Sequence, residues 1–365
     1  MKLPKKVLVV CFMFLVCFCY LWNEESLTKL KNDRSLLYKR GEPSEIAPPM
    51  WWAKFLCKKY SKETNNSIVL PVLMRDVTPS LDKNVFLIES ACKAKPTYRA
   101  WCAVESFSRV NPEADVWFVI TSPTVDNADG LPARLLERYS NLYVVTTDLE
   151  TVFKNTSLED FFMSGLWHKG TPWPIIQLSD ILRVALVWRF GGFYTDIDTV
   201  CLKDIFPLQN FVIGGHYPRN QIANGAFHFL HHHQVMEDLM TKMIEGYKPS
   251  LWGSMGPFTW TRYIKKLCKI PDMQHLFPDN SSEPIKCGNI SILPEEYLLP
   301  YPWWEFKQLY VPGKWQEFMA TFKNKSYSIH LYENKSKGLK IIQGSDSIYE
   351  GAARNFCPVT HPLLT

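Results

Sequence analysis

The segment RFGGFYTDIDTV, residues 189–200, sets two aspartates one residue apart inside an apolar run. Read as a β-strand, its side chains alternate, so Tyr194, Asp196 and Asp198 share one face. Phe193, Thr195 and Ile197 share the other. Two carboxylates side by side at the end of a hydrophobic strand repel each other and lose hydration. A divalent cation that takes oxygen ligands offsets both costs. Phosphate chemistry with an aspartate nucleophile is the other use such a pair could have.

The residues just upstream extend the candidate site. In QLSDILRVALVWRFGG, Leu178, Ile181, Leu182, Ala185 and Leu186 recur with the spacing of one buried helical face. Asp180 and Arg183, three residues apart, share another face. They form either a surface ion pair or part of a site, and the helix leads straight into the aspartate pair. Gly191 and Gly192 end it, since glycine readily takes left-handed conformations at a helix C-terminus.

Further upstream, the elements that must position these groups alternate. Strands are predicted over 84–90 (NVFLIES), 114–122 and 141–148, and helices over 98–112 and 131–139. Such alternation implies an α/β fold with a largely parallel sheet. Ligands gather at the carboxyl ends of the strands in these sheets, which adds Glu89 and Ser90 to the candidate site.

The chain has 365 residues, a formal charge of +5 and 46% hydrophobic content, which fits a large folded body. No long Lys/Arg run supports binding of nucleic acid. Lys2, Lys5 and Lys6 precede 16 uncharged, mostly large residues, Val7 to Trp22, with Glu24 and Glu25 beyond. No small-x-small cleavage site follows, so this is a signal anchor with its positive flank cytosolic. The expected organisation is a cytosolic tail at 1–6, an anchor helix at 7–22, a stem at 23–50 and a lumenal catalytic domain at 51–365. That makes a single-pass type II Golgi membrane protein. Sequons at Asn65, Asn155, Asn280, Asn289, Asn324 and Asn334 agree with a lumenal body. Seven cysteines lie beyond the apolar run. Disulfides are expected there, with Cys268–Cys287 as one and Cys201 left free and buried.

The 25-residue block SDILRVALVWRFGGFYTDIDTVCLK resembles the signature of retaining glycosyltransferases that carry a DXD motif. NGAF (224–227), GPFTWTR (256–262), SIHLYENKS (328–336) and CPVTH (357–361) follow in order. Together they resemble the lactosylceramide 4-alpha-galactosyltransferase and alpha-1,4-N-acetylglucosaminyltransferase family, from about residue 80 onward. The resemblance implies a GT-A, Rossmann-like fold, a UDP-sugar donor and Mn²⁺ or Mg²⁺. It also implies that Asp198 ligates the metal, that Asp196 meets the metal or the donor, and that His330 is a further metal ligand. Asp180 and Arg183 would hold the donor, with Glu89, Ser90 and Tyr194 beside it. On the acceptor side it places Asn224 and Gly225. Trp303 and Trp304 are a further acceptor platform, or else core.

The expected function is transfer of galactose, or N-acetylgalactosamine, from a UDP-sugar in α1,4 linkage to a terminal sugar of a glycosphingolipid. N-acetylglucosamine transfer to glycoprotein glycans is the alternative. FYTDIDTV also fits the nucleophile motif of aspartyl-phosphate hydrolases, with Asp196 as nucleophile. Those enzymes normally carry the motif on the domain's first strand and a second acidic pair later, and this chain has neither. The run HHH at 231–233 reads as a solvated face, because adjacent side chains diverge.

Overall fold

The computed structural model describes residues 37–40, 51–57, 66–215, 220–273, 276–277 and 283–364. The strands predicted over 84–90, 114–122 and 141–148 appear within a residue or two. Asn84–Glu89 is buried at every position, with Val85 and Leu87 in one apolar cluster and Phe86 and Ile88 in the other. A strand covered on both faces must be apolar throughout, which is why the run carries no polar alternation.

We number the strands β1 (Val72–Leu73), β2 (Asn84–Glu89), β3 (Asp115–Ile120), β4 (Leu142–Thr147), β5 (Gly192–Thr195), β6 (Thr199–Cys201), β7 (Phe211–Gly214), β8 (Ile222–Phe229), β9 (Ile285–Cys287), β10 (Ile290–Pro294) and β11 (Ser328–His330). Nine of them form one sheet in the order β9-β10-β7-β8-β5-β2-β3-β4-β1. Its half from β5 to β1 is parallel, as expected. β8, however, runs antiparallel to both β5 and β7, so the sheet is mixed. β6 and β11 pair separately.

The helices that matter below are α1 (Tyr98–Val110), α2 (Leu131–Arg138), α3 (Pro174–Phe190), α4 (Gln234–Glu245), α5 (Pro257–Leu267), α6 (Trp315–Phe322) and α7 (Ile348–Phe356). α1 starts where the Thr97 hydroxyl accepts the Ala100 N–H and stops just before Pro112. The helices α1 and α2 cover one face of the sheet, and α3, α4 and α5 cover the other. The result is a mixed α/β fold in three layers.

α3 departs from its expected single buried face. Residues Gln177 to Val187 are all buried, so this helix lies inside the molecule with Asp180 and Arg183 enclosed. Gly191 and Gly192 follow at φ 67° and 117°. A β-carbon on Gly192 would approach the Asn84 carbonyl of β2 to 2.3 Å, so this turn needs glycine twice over.

Disulfides join Cys57–Cys92, Cys102–Cys357 and Cys268–Cys287, and Cys201 is free and buried. The 7–22 run and the 1–6 tail lie outside the described residues. Of the 23–50 segment, only 37–40 are described, and Lys39–Arg40 pairs with Ser67–Val69. Among the described residues no helix is long and apolar enough to cross a membrane.

Candidate active site

β5 ends at Thr195, so Asp196 and Asp198 occupy a turn into β6 and not one continuous strand. The strand geometry that would align their side chains is therefore absent. The two carboxylates converge instead because His330, at the end of β11, pairs with Thr199 of β6 and faces the turn. His330 Nε2 lies 3.1 Å from Asp198 Oδ1 and 3.5 Å from Asp196 Oδ2. One ligand atom from each of the three residues falls within 4.8 Å of the others, the only such group of His, Cys, Asp and Glu among the described residues. Two carboxylates and an imidazole suit Mn²⁺ or Mg²⁺, and their convergence leaves one point where a cation would fit all three.

Backbone contacts fix the turn. The Asp196 N–H donates to the Gly225 carbonyl at 2.9 Å, and the Leu331 N–H to the Asp198 carbonyl at 2.8 Å. The Glu333 N–H donates to Asp198 Oδ2 at 2.7 Å, which leaves Oδ1 toward the shared point. The pairing of β8 with β7 jumps from Phe227 to Ala223, so residues 224–226 arch out of that ladder. A β-carbon on Gly225 would meet Asp196 Oδ2 at 2.7 Å. Gly225 therefore makes room for a carboxylate.

Beside this corner lies a buried polar nest. Arg183 Nη1 donates to Asp196 Oδ1 at 3.1 Å and to the Asn224 carbonyl at 2.7 Å. Its other nitrogens bond the Ser179 carbonyl and hydroxyl, and its guanidinium lies 4.3 Å from the Tyr194 ring centre. Tyr194 in turn donates to Asp196 Oδ1 at 2.7 Å. Asp180 Oδ1 lies 3.5 Å from Arg183 Nη2 and accepts from Asn224 Nδ2 at 2.6 Å. Trp260 Nε1 donates to Asn224 Oδ1 at 2.9 Å, so both ends of that amide are occupied. Asn224, expected on the acceptor side, thus orients Asp180 through its side chain.

Charges in the site are tuned by these contacts. Burial alone would raise the Asp198 carboxyl, but His330 and the Glu333 N–H together hold it below its ordinary value. Burial alone would lower His330, yet Asp198 and Asp196 carry it up to about 9. Without a cation the imidazolium therefore compensates the two carboxylates. Asp180 is pushed up to about 7 by burial, against the pull of Arg183 and Asn224.

Glu89 ends β2, the neighbour of β5, and Ser90 follows it directly, as expected. The Glu89 carboxylate accepts from the Ala91 N–H and lies 3.7 Å from Lys93, while Ser90 donates to the Ile175 carbonyl at the start of α3. Neither bonds the aspartate turn. Trp303 and Trp304 are 45% and 38% exposed, which excludes a core role. They meet edge to face at 5.6 Å, and Lys335, two residues past Glu333, reaches 5.4 Å from the Trp303 ring. The histidine run diverges: His231 pairs with Asp82, His232 packs on Trp188, and His233 caps α4. Trp260, Ser179 and the Glu333 N–H were not anticipated. Trp260 sits in the GPFTWTR block, but no spacing rule ties it to Asn224, and a backbone N–H leaves no mark in a sequence.

Known proteins resemble the chain over most of its length. Residues 83–219 match a family model described as a glycosyltransferase sugar-binding region containing the DXD motif, and 228–364 match an alpha 1,4-glycosyltransferase conserved region. The chain is 30% identical over 287 residues to lactosylceramide 4-alpha-galactosyltransferase of Gorilla gorilla gorilla, covering 77% of this chain and 83% of the relative. The Homo sapiens protein of that name is also 30% identical, with 77% of each chain covered. Human alpha-1,4-N-acetylglucosaminyltransferase is 27% identical over 76% of this chain and 80% of its own. Among solved structures the likeness is looser: a PaToxG glycosyltransferase matches at TM-score 0.40 and 17% identity, covering 53% of this chain and 71% of that one.

Proposed function

The chain belongs to the alpha-1,4-glycosyltransferase family and is a hexosyltransferase, and from that premise we propose its specific reaction. It transfers galactose, or N-acetylgalactosamine, from a UDP-sugar in α1,4 linkage to the terminal sugar of a glycosphingolipid, with retention at the transferred carbon. The observation that carries this reading is the convergence of Asp196, Asp198 and His330 on one point beside the Asp180–Arg183 nest. The sheet, with its parallel half leading into the aspartate turn, fits a GT-A fold. The names of the relatives support galactose and lactosylceramide. Transfer of N-acetylglucosamine to protein-linked glycans is the second reading, supported by the name of the third relative.

Asp196 Oδ2, Asp198 Oδ1 and His330 Nε2 would hold Mn²⁺ or Mg²⁺. When bound, such an ion neutralises charge that builds on the departing UDP. The chain's own groups do the rest. Arg183 and Tyr194 keep Asp196 Oδ1 turned away from the shared point, so Oδ2 alone faces it. Asp180 Oδ2 accepts no hydrogen bond from the described residues, and it addresses hydroxyls of the donor sugar. Trp303 and Trp304 offer a stacking face to the acceptor. Retention follows a front-face course in which the departing phosphate takes the acceptor proton.

The Lys-flanked 7–22 run, the sequons and the disulfides support a Golgi lumenal body held by a single type II anchor. The test of the reaction is a panel of UDP-galactose, UDP-N-acetylgalactosamine and UDP-N-acetylglucosamine against lactosylceramide and glycoprotein glycans. An α1,4-galactosylated or N-acetylgalactosaminylated lipid is the expected product. Transfer confined to N-acetylglucosamine on glycoproteins would replace it with the second reading.

A further inference from the structure

The loop that follows His330 has an anchor well outside the site. Arg99, in the first turn of α1, donates through Nη1 to Ser336 Oγ at 2.7 Å. Its Nη2 donates to the carbonyls of Ser336 and Leu339 at 3.0 and 2.7 Å. The guanidinium also lies 5.6 and 5.8 Å from the ring centres of Tyr310 and Tyr349. Ser336 is completely buried. Its hydroxyl accepts from Tyr310 at 3.0 Å and donates to the Leu331 carbonyl at 2.7 Å. From there the same loop turns to the site, where the N–H groups of Leu331 and Glu333 both reach Asp198.

We propose that Arg99 is a positioning residue for the cation site, acting through the 331–339 loop. The inference rests on the cation reading above. The loop contains one short helical turn, Glu333–Ser336, and its backbone bonds over 335–339 are all local, so they hold the turn together without tying it to another element. A planar guanidinium with a fixed fork of donors can satisfy a hydroxyl and two carbonyls at once, which an ammonium cannot. Removing it leaves the Leu339 carbonyl without a donor among the described residues and strips one donor each from the Ser336 hydroxyl and carbonyl, which keep only Tyr310 and the Leu339 N–H, and the loop answers that loss by moving. Such movement shifts the amides on Asp198 and the strand end that carries His330. The metal ligands are then correct in type but no longer converge, which is how partners of ligands set metal affinity.

The test is Mn²⁺ titration of the full chain by electron paramagnetic resonance, with hydrogen exchange read at the Leu331 and Glu333 amides. Arg99→Ala should raise the Kd for Mn²⁺ by about 10–100-fold and open both amides to exchange. Arg99→Lys should recover part of each. Ser336→Ala keeps the charge but deletes the hydroxyl relay, and it should move both readouts the same way. It carries the test alone if Arg99→Ala does not fold. Equal Mn²⁺ affinity in wild type and variants overturns the proposal, as does weakened binding with both amides still protected. A wild type that takes up no Mn²⁺ overturns the cation reading and this inference with it. That outcome differs from failure of the clamp, in which wild type and variants bind equally.

Discussion

Two groups of acids in this molecule are built on opposite plans. At the C-terminal end, Glu105 and Glu350 are completely buried, and each of their carboxylate oxygens has a donor. Glu105 accepts from Tyr139 and from the Val359 and Thr360 N–H groups, at 2.8–2.9 Å. Glu350 accepts from Arg354, His361 and the Asp346 N–H. At the aspartate turn, by contrast, Asp196 Oδ2 and Asp198 Oδ1 meet only His330 among the described residues. Saturated acids hold a fold together, because each enclosed oxygen keeps its hydrogen bonds. Acids whose free oxygens face one point, with one compensating imidazole, are set up to receive something else.

This contrast is best broken by removing one charge from each group. Asp198→Asn should lower kcat by about 10²-fold or more, with the fold kept at a modest cost in thermal stability, because His330 and the Glu333 N–H favour the ionised carboxylate. An inactive variant that has also unfolded would place Asp198 with the structural acids. Glu105→Ala should behave in the opposite way. Three donors lose their acceptor, and urea titration should show a loss of about 3 kcal/mol. Kinetics of the fraction that remains folded should stay near wild type.

Asp180 sharpens the comparison, being enclosed like the first group and sited with the second. Burial raises its pKa to about 7, from about 3.9 in the unfolded chain. Between those values the native state binds the extra proton, so the Asp180 contribution to stability falls as pH rises through this window. Asp180→Asn should flatten that part of the stability–pH curve and weaken donor binding. An unaltered curve would mean that Asp180 is ionised throughout. The smallest effect is expected at the rim, where Trp303→Ala should raise the acceptor KM about threefold to tenfold and leave the donor KM alone.

Much of this was legible in the sequence because local rules govern it. β2, β3 and β4 were read from apolar runs, and α1 from its periodicity and Pro112. The disulfide Cys268–Cys287 and the free Cys201 also stand as expected. What was not legible depends on contacts between distant segments. α3 looked amphipathic, yet Asp180 and Arg183 are enclosed because Asn224 meets them from 44 and 41 residues away along the chain and Asp196 meets Arg183 from 13. The turn at 196–198 looked like strand because its residue types suit either. β8 contains Asn224-Gly225, a pair that local chemistry assigns to hairpin turns. Here it forms an arch inside a strand, with Gly225 making room for Asp196 and Asn224 orienting Asp180.

The central claim is that the corner formed by Asp196, Asp198 and His330 holds a divalent cation needed for sugar transfer. The most direct test is galactose transfer to lactosylceramide by chelator-treated protein as Mn²⁺ is added back, compared between wild type and His330→Ala. The account predicts no transfer in chelator, saturable recovery with Mn²⁺, and a half-saturating concentration shifted upward in the variant. Full transfer in the presence of chelator would contradict it.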